Sequence, residues 1–312
     1  MEEDYPKNML AMEQRFGTEA DCRQYLVQLR WPHGFVCPAC QGQAGWLDRR
    51  HRWTCKGCRQ QTTVTAGTIF EGTHLPLQVW FRAAWLVTSQ KSGASALGLQ
   101  RVLGLGSYET AWSWLHKFRR AMVRPGRDRL QGTLEVDEAF IGGVNPKAKG
   151  RDWVDKALIV IAAEAAGQGI GRIRLGRVPD ASSPSLHGFI QKTVTPGSTI
   201  HTDGWAPYQG LQKLGYGHTV TRLKGKGKTA AVELLPRVHR VAALLKRWLL
   251  GTHQGAVSPN HLDYYLDEFT FRFNRRHSAS RGKLFFRLLE QAVQVEPVTY
   301  DQIVQGGSKH NP

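Results

Sequence analysis

No apolar run in the 312 residues approaches the roughly 18 that a membrane span requires. The longest, ALIVIAAEAA at 157–166, is broken by Glu164 and reads as a central strand. The opening MEEDYPKN is acidic and lacks the apolar core of a signal peptide, so a cytoplasmic protein with no membrane partner is expected. Acids are scarce: 25 Asp and Glu stand against 42 Lys and Arg, leaving +17. Such an excess points to a polyanionic partner, nucleic acid first, because Lys and Arg displace counterions condensed on phosphates. A merely basic surface is the bland alternative. Cysteine is also scarce, five in all, and four of them fall in two CxxC pairs. In a reducing compartment that pattern indicates metal and argues against disulfides.

Cys37 and Cys40 (CPAC) are separated from Cys55 and Cys58 (CKGC) by fourteen residues, and short β-like segments follow each pair. This spacing matches a zinc ribbon, in which four thiolates close a structural, tetrahedral Zn²⁺ site. Arg49, Arg50, His51, Arg52, Lys56 and Arg59 surround it and favour DNA, with a protein contact left open. Cys22 falls on the apolar side of a helix over 17–30 and reads as a small buried hydrophobe.

From Pro76 the pattern turns helical: one amphipathic helix is followed by two more across a short Leu105-Gly106 link, with Ser92 to Ala94 and Ser107 as caps. This resembles a helix-turn-helix whose second helix enters a major groove, with Lys117, Arg119 and Arg120 on phosphates. A small helical linker bundle is the alternative. Trp80, Trp85, Trp112 and Trp114 are expected in the core. The basic, Pro/Gly-rich stretch 123–132 is the clearest domain boundary.

Beyond it, TLEVDEAFIGG at 133–143 reads as a strand with Asp137 among alternating apolar residues. A carboxylate there is costly to bury without a cation or donors, which makes Asp137 a candidate metal ligand. Asp203 ends a second strand, STIHTDGWAPY. A helix opening at Pro236 and closing at Gly251 carries His239 and Lys246, seven residues apart and within about 20° around the axis. The candidate site is Asp137, Asp203 and His239, with Lys246 beside them; Glu233, Glu268 and Asn274 are reserve ligands, and Glu135 and Glu138 are read as structural or as supports of the ligands. Three strands, a helix, a strand, a short helix at 207–214 and a strand follow the order of a ribonuclease H-like fold: a mixed five-stranded sheet flanked by helices. There the first and fourth strands are neighbours, which would bring Asp137 and Asp203 together. Lys224, Lys226 and Lys228, alternating with glycine, and Arg275 and Arg276, closing a helix from Ser258-Pro259, are candidate DNA contacts.

The ribbon CPAC/CKGC, the strands VDEAFIGG and HTDGWAPY, and the phrases HRVAALLKRWLLGTHQGAVS and YLDEFTFRFNRR together resemble a bacterial insertion-sequence transposase of the insertion sequence 1595 family. The resemblance implies an N-terminal zinc ribbon and a ribonuclease H-like DDE catalytic domain that cuts element ends and joins the 3′ hydroxyl to target DNA. It implies two Mg²⁺ or Mn²⁺ ions, with Asp137 bridging both, Asp203 on one, His239 on or beside the other, and Lys246 on a phosphate. Double-stranded DNA (terminal inverted repeats and target) is the implied partner, a homo-oligomer the implied assembly, and the bacterial nucleoid the implied setting. Where the pattern expects an acid, seven residues before Lys246, this chain has His239, which suits Mn²⁺ or a softer ion better than Mg²⁺. The expected domains are an N-terminal helical segment at 1–34, the ribbon at 35–72, the helix-turn-helix-like domain at 73–122, the catalytic domain at 123–292 and a tail at 293–312, its last dozen residues loose. A DNA-binding regulator without catalysis, and a nuclease or resolvase without strand transfer, are the rival readings.

Overall fold

Helix caps and apolar spacing account for the first elements. In this computed structural model, which describes residues 4–124, 126–142, 156–221, 234–255 and 257–306, Asn8 caps α1 (Met9–Arg15) by accepting from the Ala11 amide. Thr18 and Asp21 form a reciprocal capping box on α2 (Glu19–Arg30), which buries Cys22, Tyr25, Leu26 and Leu29. Strands β1 (Gly45–Leu47), β2 (Trp53–Cys55) and β3 (Gln61–Thr62) form an antiparallel sheet. Helices α3 (Leu77–Ser89), α4 (Ala96–Leu103) and α5 (Tyr108–Ala121) follow. Ser107 caps α5 as expected, whereas α4 is capped by Ser95, just past the expected stretch, because its first turn starts at Ala96. Trp80, Trp85 and Trp114 are buried, and Trp80 stacks on Trp114 at 3.7 Å.

The second half builds a five-stranded sheet from β4 (Thr133–Ile141), β5 (Ala157–Ala166), β6 (Gly169–Val178), β7 (Thr199–Thr202) and β8 (Gly217–Val220), in the order β6-β5-β4-β7-β8. The first three strands pair antiparallel, while β4–β7 and β7–β8 are parallel. This is the ribonuclease H-like arrangement, with the first and fourth strands of the domain adjacent. Helix α6 (Ser183–Thr193) joins a core of Leu134, Val136, Val160, Ile190, Ile200 and Tyr208 on one face. On the other, α7 (Pro236–His253) and α8 (Leu262–Asn274) bury Val241, Leu245, Leu266 and Phe269 on Ile159, Ile161 and Ile173. The short helix expected at 207–214 is two 3-10 turns, Ala206–Tyr208 and Leu211–Leu214, interrupted at Gln209-Gly210.

The chain divides into two compact units, Pro125–Arg276 and Met1–Arg124 with His277–Pro312. The boundary between the units falls at Arg276, ahead of the expected end of the catalytic domain at 292. Helix α9 (Arg281–Ala292) carries Phe285 onto Phe16, Phe81 and Trp85, so its apolar face completes the N-terminal unit. Of the last dozen residues, expected to be loose, the first four belong to α10 (Tyr300–Val304), which Thr299 caps and which buries Ile303. Gly282 on α9 is a close-approach position, since a Cβ there would run into the Pro6 carbonyl oxygen and lie 2.9 Å from Tyr5 Cδ2. Gly282→Ala should lower stability by about 1–3 kcal/mol, read as a fall in melting temperature.

Candidate functional site

Side chains on β4 alternate between the sheet's two faces. Ala139 and Ile141 lie in the core under α7 and α8, on the face that also carries Glu135 and Asp137, while Leu134 and Val136 lie in the α6 core. The parallel ladder pairs Thr133, Leu134 and Glu135 with Thr199, Ile200 and His201 and ends there. Continued by two residues, the same register sets Asp203, just past the carboxyl end of β7, level with Asp137 in the middle of β4 and on the same face. Burial, with the charge of Asp203 adding to it, pushes the Asp137 carboxyl up to about 6. The two expected ligands are near enough for one charge to act on the other.

His239 arrives from α7, with Nε2 3.8 Å from Asp137 Oδ2. That is too long for a hydrogen bond, yet within the span of two ligands each about 2.1 Å from one ion. Asp137 and His239 are thus spaced as two ligands of one divalent cation, while Asp203 stands further off, so the three do not close into one compact cluster as the four cysteines do. Lys246 lies on the same helix, seven residues and about 10 Å further along, with its side chain exposed.

Glu135 decides where His239 stands. Its buried carboxylate accepts from the Arg237 and Val238 amides at 2.7 and 3.1 Å and from Arg237 Nη1 at 2.7 Å, clamping the first turn of α7 to β4. An acid at a helix N-terminus also meets the positive end of its dipole. Arg237 continues to the carbonyls of Gly169 and Gly167. The clamp lies two residues before Asp137 on the strand and two before His239 on the helix, so the matched offsets bring those side chains together. From the sequence Glu135 reads as structural or as a support of the ligands, without a named partner, because that partner lies 102 residues away. Glu135→Ala leaves two amides and a half-buried guanidinium without their shared acceptor and should cost about 1–3 kcal/mol in chemical denaturation.

The loop after β7 is also fixed. Asp203 Oδ1 accepts from the Trp205 amide at 2.9 Å, and Gly204 turns the chain at φ 84. Tyr208 is buried with its hydroxyl beside Glu138, without hydrogen-bonding geometry, on the sheet face opposite Asp137. Burial raises Glu138 to about 7 and raises the Tyr208 hydroxyl further above its ordinary range.

The four cysteine sulfurs lie within 4.8 Å of one another, with Cys37–Cys58 and Cys40–Cys55 at 3.6 Å. Sulfurs about 2.3 Å from one tetrahedral ion stand about 3.8 Å apart, so the cluster fits. Gln41 and Arg59, each following the second cysteine of its pair, both take positive φ, 61 and 62. The amides of Cys40 and Cys58 turn toward Cys37 and Cys55 respectively and hold those thiols below their ordinary range.

Several expected contacts have other tasks. Arg119 is 1% exposed, and Lys117, half-buried near the Trp80 ring, is held below its ordinary pKa by burial. Helix α5 lies under packing from several sides, so its basic end is not a free groove-reading surface; Arg120 is half-buried. The cause is the aromatic density of α5, whose Trp114 and Phe118 pack on Trp80. Arg276 donates to the Gly171, Phe273 and Ile170 carbonyls, and Arg275 lies over Phe271 at 4.1 Å. Among the reserve ligands, Glu268 is buried and ion-paired with Arg272 at 3.0 Å rather than a surface charge. Asn274 grips both backbone groups of Ile173. Lys224, Lys226, Lys228 and Glu233 lie outside the described residues.

A family profile described as an ISXO2-like transposase domain matches residues 129–274, and one described as a transposase zinc-ribbon domain matches 17–61. An uncharacterized protein in transposable element ISH50 of Halobacterium salinarum is 25% identical over 277 residues, spanning 82% of this chain and 91% of its own. The crystal structure of the Mos1 strand transfer complex is similar with a TM-score of 0.28 at 12% identity, covering 74% of this chain and 79% of that one. A pre-cleavage Mos1 transpososome gives 0.27 at 11%, covering 74% and 80%. Likenesses as distant as these two carry no argument about substrate or assembly. No helix among the described residues is long and apolar enough to cross a membrane.

Proposed function

Because the chain belongs to the insertion sequence 1595 family of transposases, we propose that it cleaves the ends of an insertion element and joins the freed 3′ hydroxyl to target DNA. The observation that supports this best is His239 standing 3.8 Å from Asp137, on a strand whose register with β7, continued by two residues, reaches Asp203. Both reactions are in-line phosphoryl transfers, for which positioning and charge are the main demands on a protein. Asp137, Asp203 and His239 would hold Mg²⁺ or Mn²⁺, which when bound activates the attacking oxygen and offsets charge on the leaving one. The chain's own residues set the geometry: Glu135 and Arg237 fix α7 on β4, the Asp203 turn fixes the second carboxylate, and Lys246 offers an ammonium to a neighbouring phosphate. Cys37, Cys40, Cys55 and Cys58 would hold structural Zn²⁺. Double-stranded DNA is the partner, consistent with the +17 charge; joining two element ends calls for a homo-oligomer, acting at the nucleoid.

Strand transfer of a labelled element-end oligonucleotide into plasmid tests this reading. Wild type should cleave and join in Mg²⁺ or Mn²⁺, and His239→Ala should lose about 100-fold or more. His239→Glu should keep activity and shift the preference from Mn²⁺ toward Mg²⁺. Cleavage without joining would indicate a nuclease, and binding without cleavage a regulator.

A further inference from the structure

Trp205 is 50% exposed, the most exposed tryptophan among the described residues. The other described indole of its unit, Trp248, packs with His253, Tyr265 and Phe269. No aromatic ring among the described residues packs on Trp205, yet its backbone is fixed at both ends. Its amide donates to Asp203 Oδ1 at 2.9 Å, and its carbonyl accepts from the Tyr208 amide at 3.1 Å. Gly204 donates to Thr202 Oγ1, and Tyr208 is fully buried beneath. A large apolar ring carried into water on a fixed stretch of backbone, two residues from Asp203, is uncompensated in the free protein. The fixed backbone and the two side-chain torsions of an indole keep the ordering cost of binding a flat ligand small.

We propose that Trp205 stacks on a DNA base left unpaired beside the phosphodiester that Asp137 and Asp203 address. This rests on the reading of that site as one for DNA strand cleavage. A nucleobase fits because every base has a π-face and its phosphate would lie at the neighbouring carboxylate site. Stacking on an indole is worth roughly 5- to 100-fold in affinity per base. Inside a duplex both faces of a base are covered, so Trp205 can act only on a terminal or extruded nucleotide. The substrate at the moment of cutting is therefore a locally opened duplex end.

The test uses the full chain and a fluorescein-labelled element-end duplex, either fully paired or mismatched over its terminal base pairs, with affinity read by anisotropy. Wild type should prefer the mismatched end. Trp205→Ala should reduce that preference by roughly 5- to 100-fold, and Trp205→Phe should retain most of it. Circular dichroism confirms that each variant is folded. A Trp205→Ala preference equal to wild type, or a wild type that does not distinguish the two ends, overturns the proposal. Cleavage in Mg²⁺ or Mn²⁺ is scored separately. A wild type that cuts while Trp205→Ala keeps the preference sinks stacking alone, whereas a wild type that prefers open ends and never cuts sinks the transposase chemistry alone.

Discussion

Asp137→Ala is expected to slow divalent-dependent DNA cleavage by at least about 1,000-fold, ~4 kcal/mol in the barrier, while DNA binding survives. Asp203→Ala should behave alike, and full cleavage by either variant would remove the site assignment. The size follows from the geometry. Asp137 is largely out of water, close enough to Asp203 to feel its charge and 3.8 Å from His239. Burial and the Asp203 charge already hold the Asp137 carboxyl up at about 6, so its ionised form is disfavoured by the fold itself. A folded pKa above the ordinary value means that ionisation costs stability, growing as pH rises through the ordinary carboxylate range toward 6. Asp137→Asn should therefore melt higher than wild type at neutral pH without divalent metal, and the melting point should no longer rise when Mg²⁺ or Mn²⁺ is added. Lower activity with higher stability in one variant is the signature of a group kept for chemistry rather than packing.

Removing metal from the cysteine cluster should have the other large effect. Strands β1 and β2 have three residues each and β3 has two, too little sheet to stand alone. Phe35 stacks on Trp53 at 4.9 Å with Trp31 at their edge, a small core. Tetrahedral zinc would then supply on the order of 10 kcal/mol to the folded ribbon. Cys55→Ser, or chelation of the native protein, should abolish the bound zinc and open the ribbon, seen as fast amide exchange at Thr54 and Cys55. A ribbon still protected after metal removal would show that its aromatic core suffices.

The cysteine cluster and the two candidate aspartates stand out in the sequence for the same reason: each is marked by its immediate neighbours. CxxC describes a knuckle whose amides face its own thiol, and Asp137 and Asp203 each interrupt an apolar strand. Arg119, Arg276 and Glu268 were not legible in that way. A charged side chain looks solvated in sequence, and only packing reveals that Arg119 is buried, that Arg276 meets the carbonyls of Ile170 and Gly171, or that Glu268 pairs with Arg272. Helix α9 misled for a related reason, since an amphipathic face states that it must be covered without stating by what.

The sequence by itself determined the zinc-ribbon spacing, the succession of strands and helices along the chain and the residues able to hold cations, because each follows from neighbours along the chain. Only the tertiary structure decided that Glu135 would clamp α7, so that His239 meets Asp137, and that Trp205 would stand bare beside Asp203. Those outcomes depend on which distant donors reach a buried carboxylate and which faces find no cover, and neither is encoded in any local stretch.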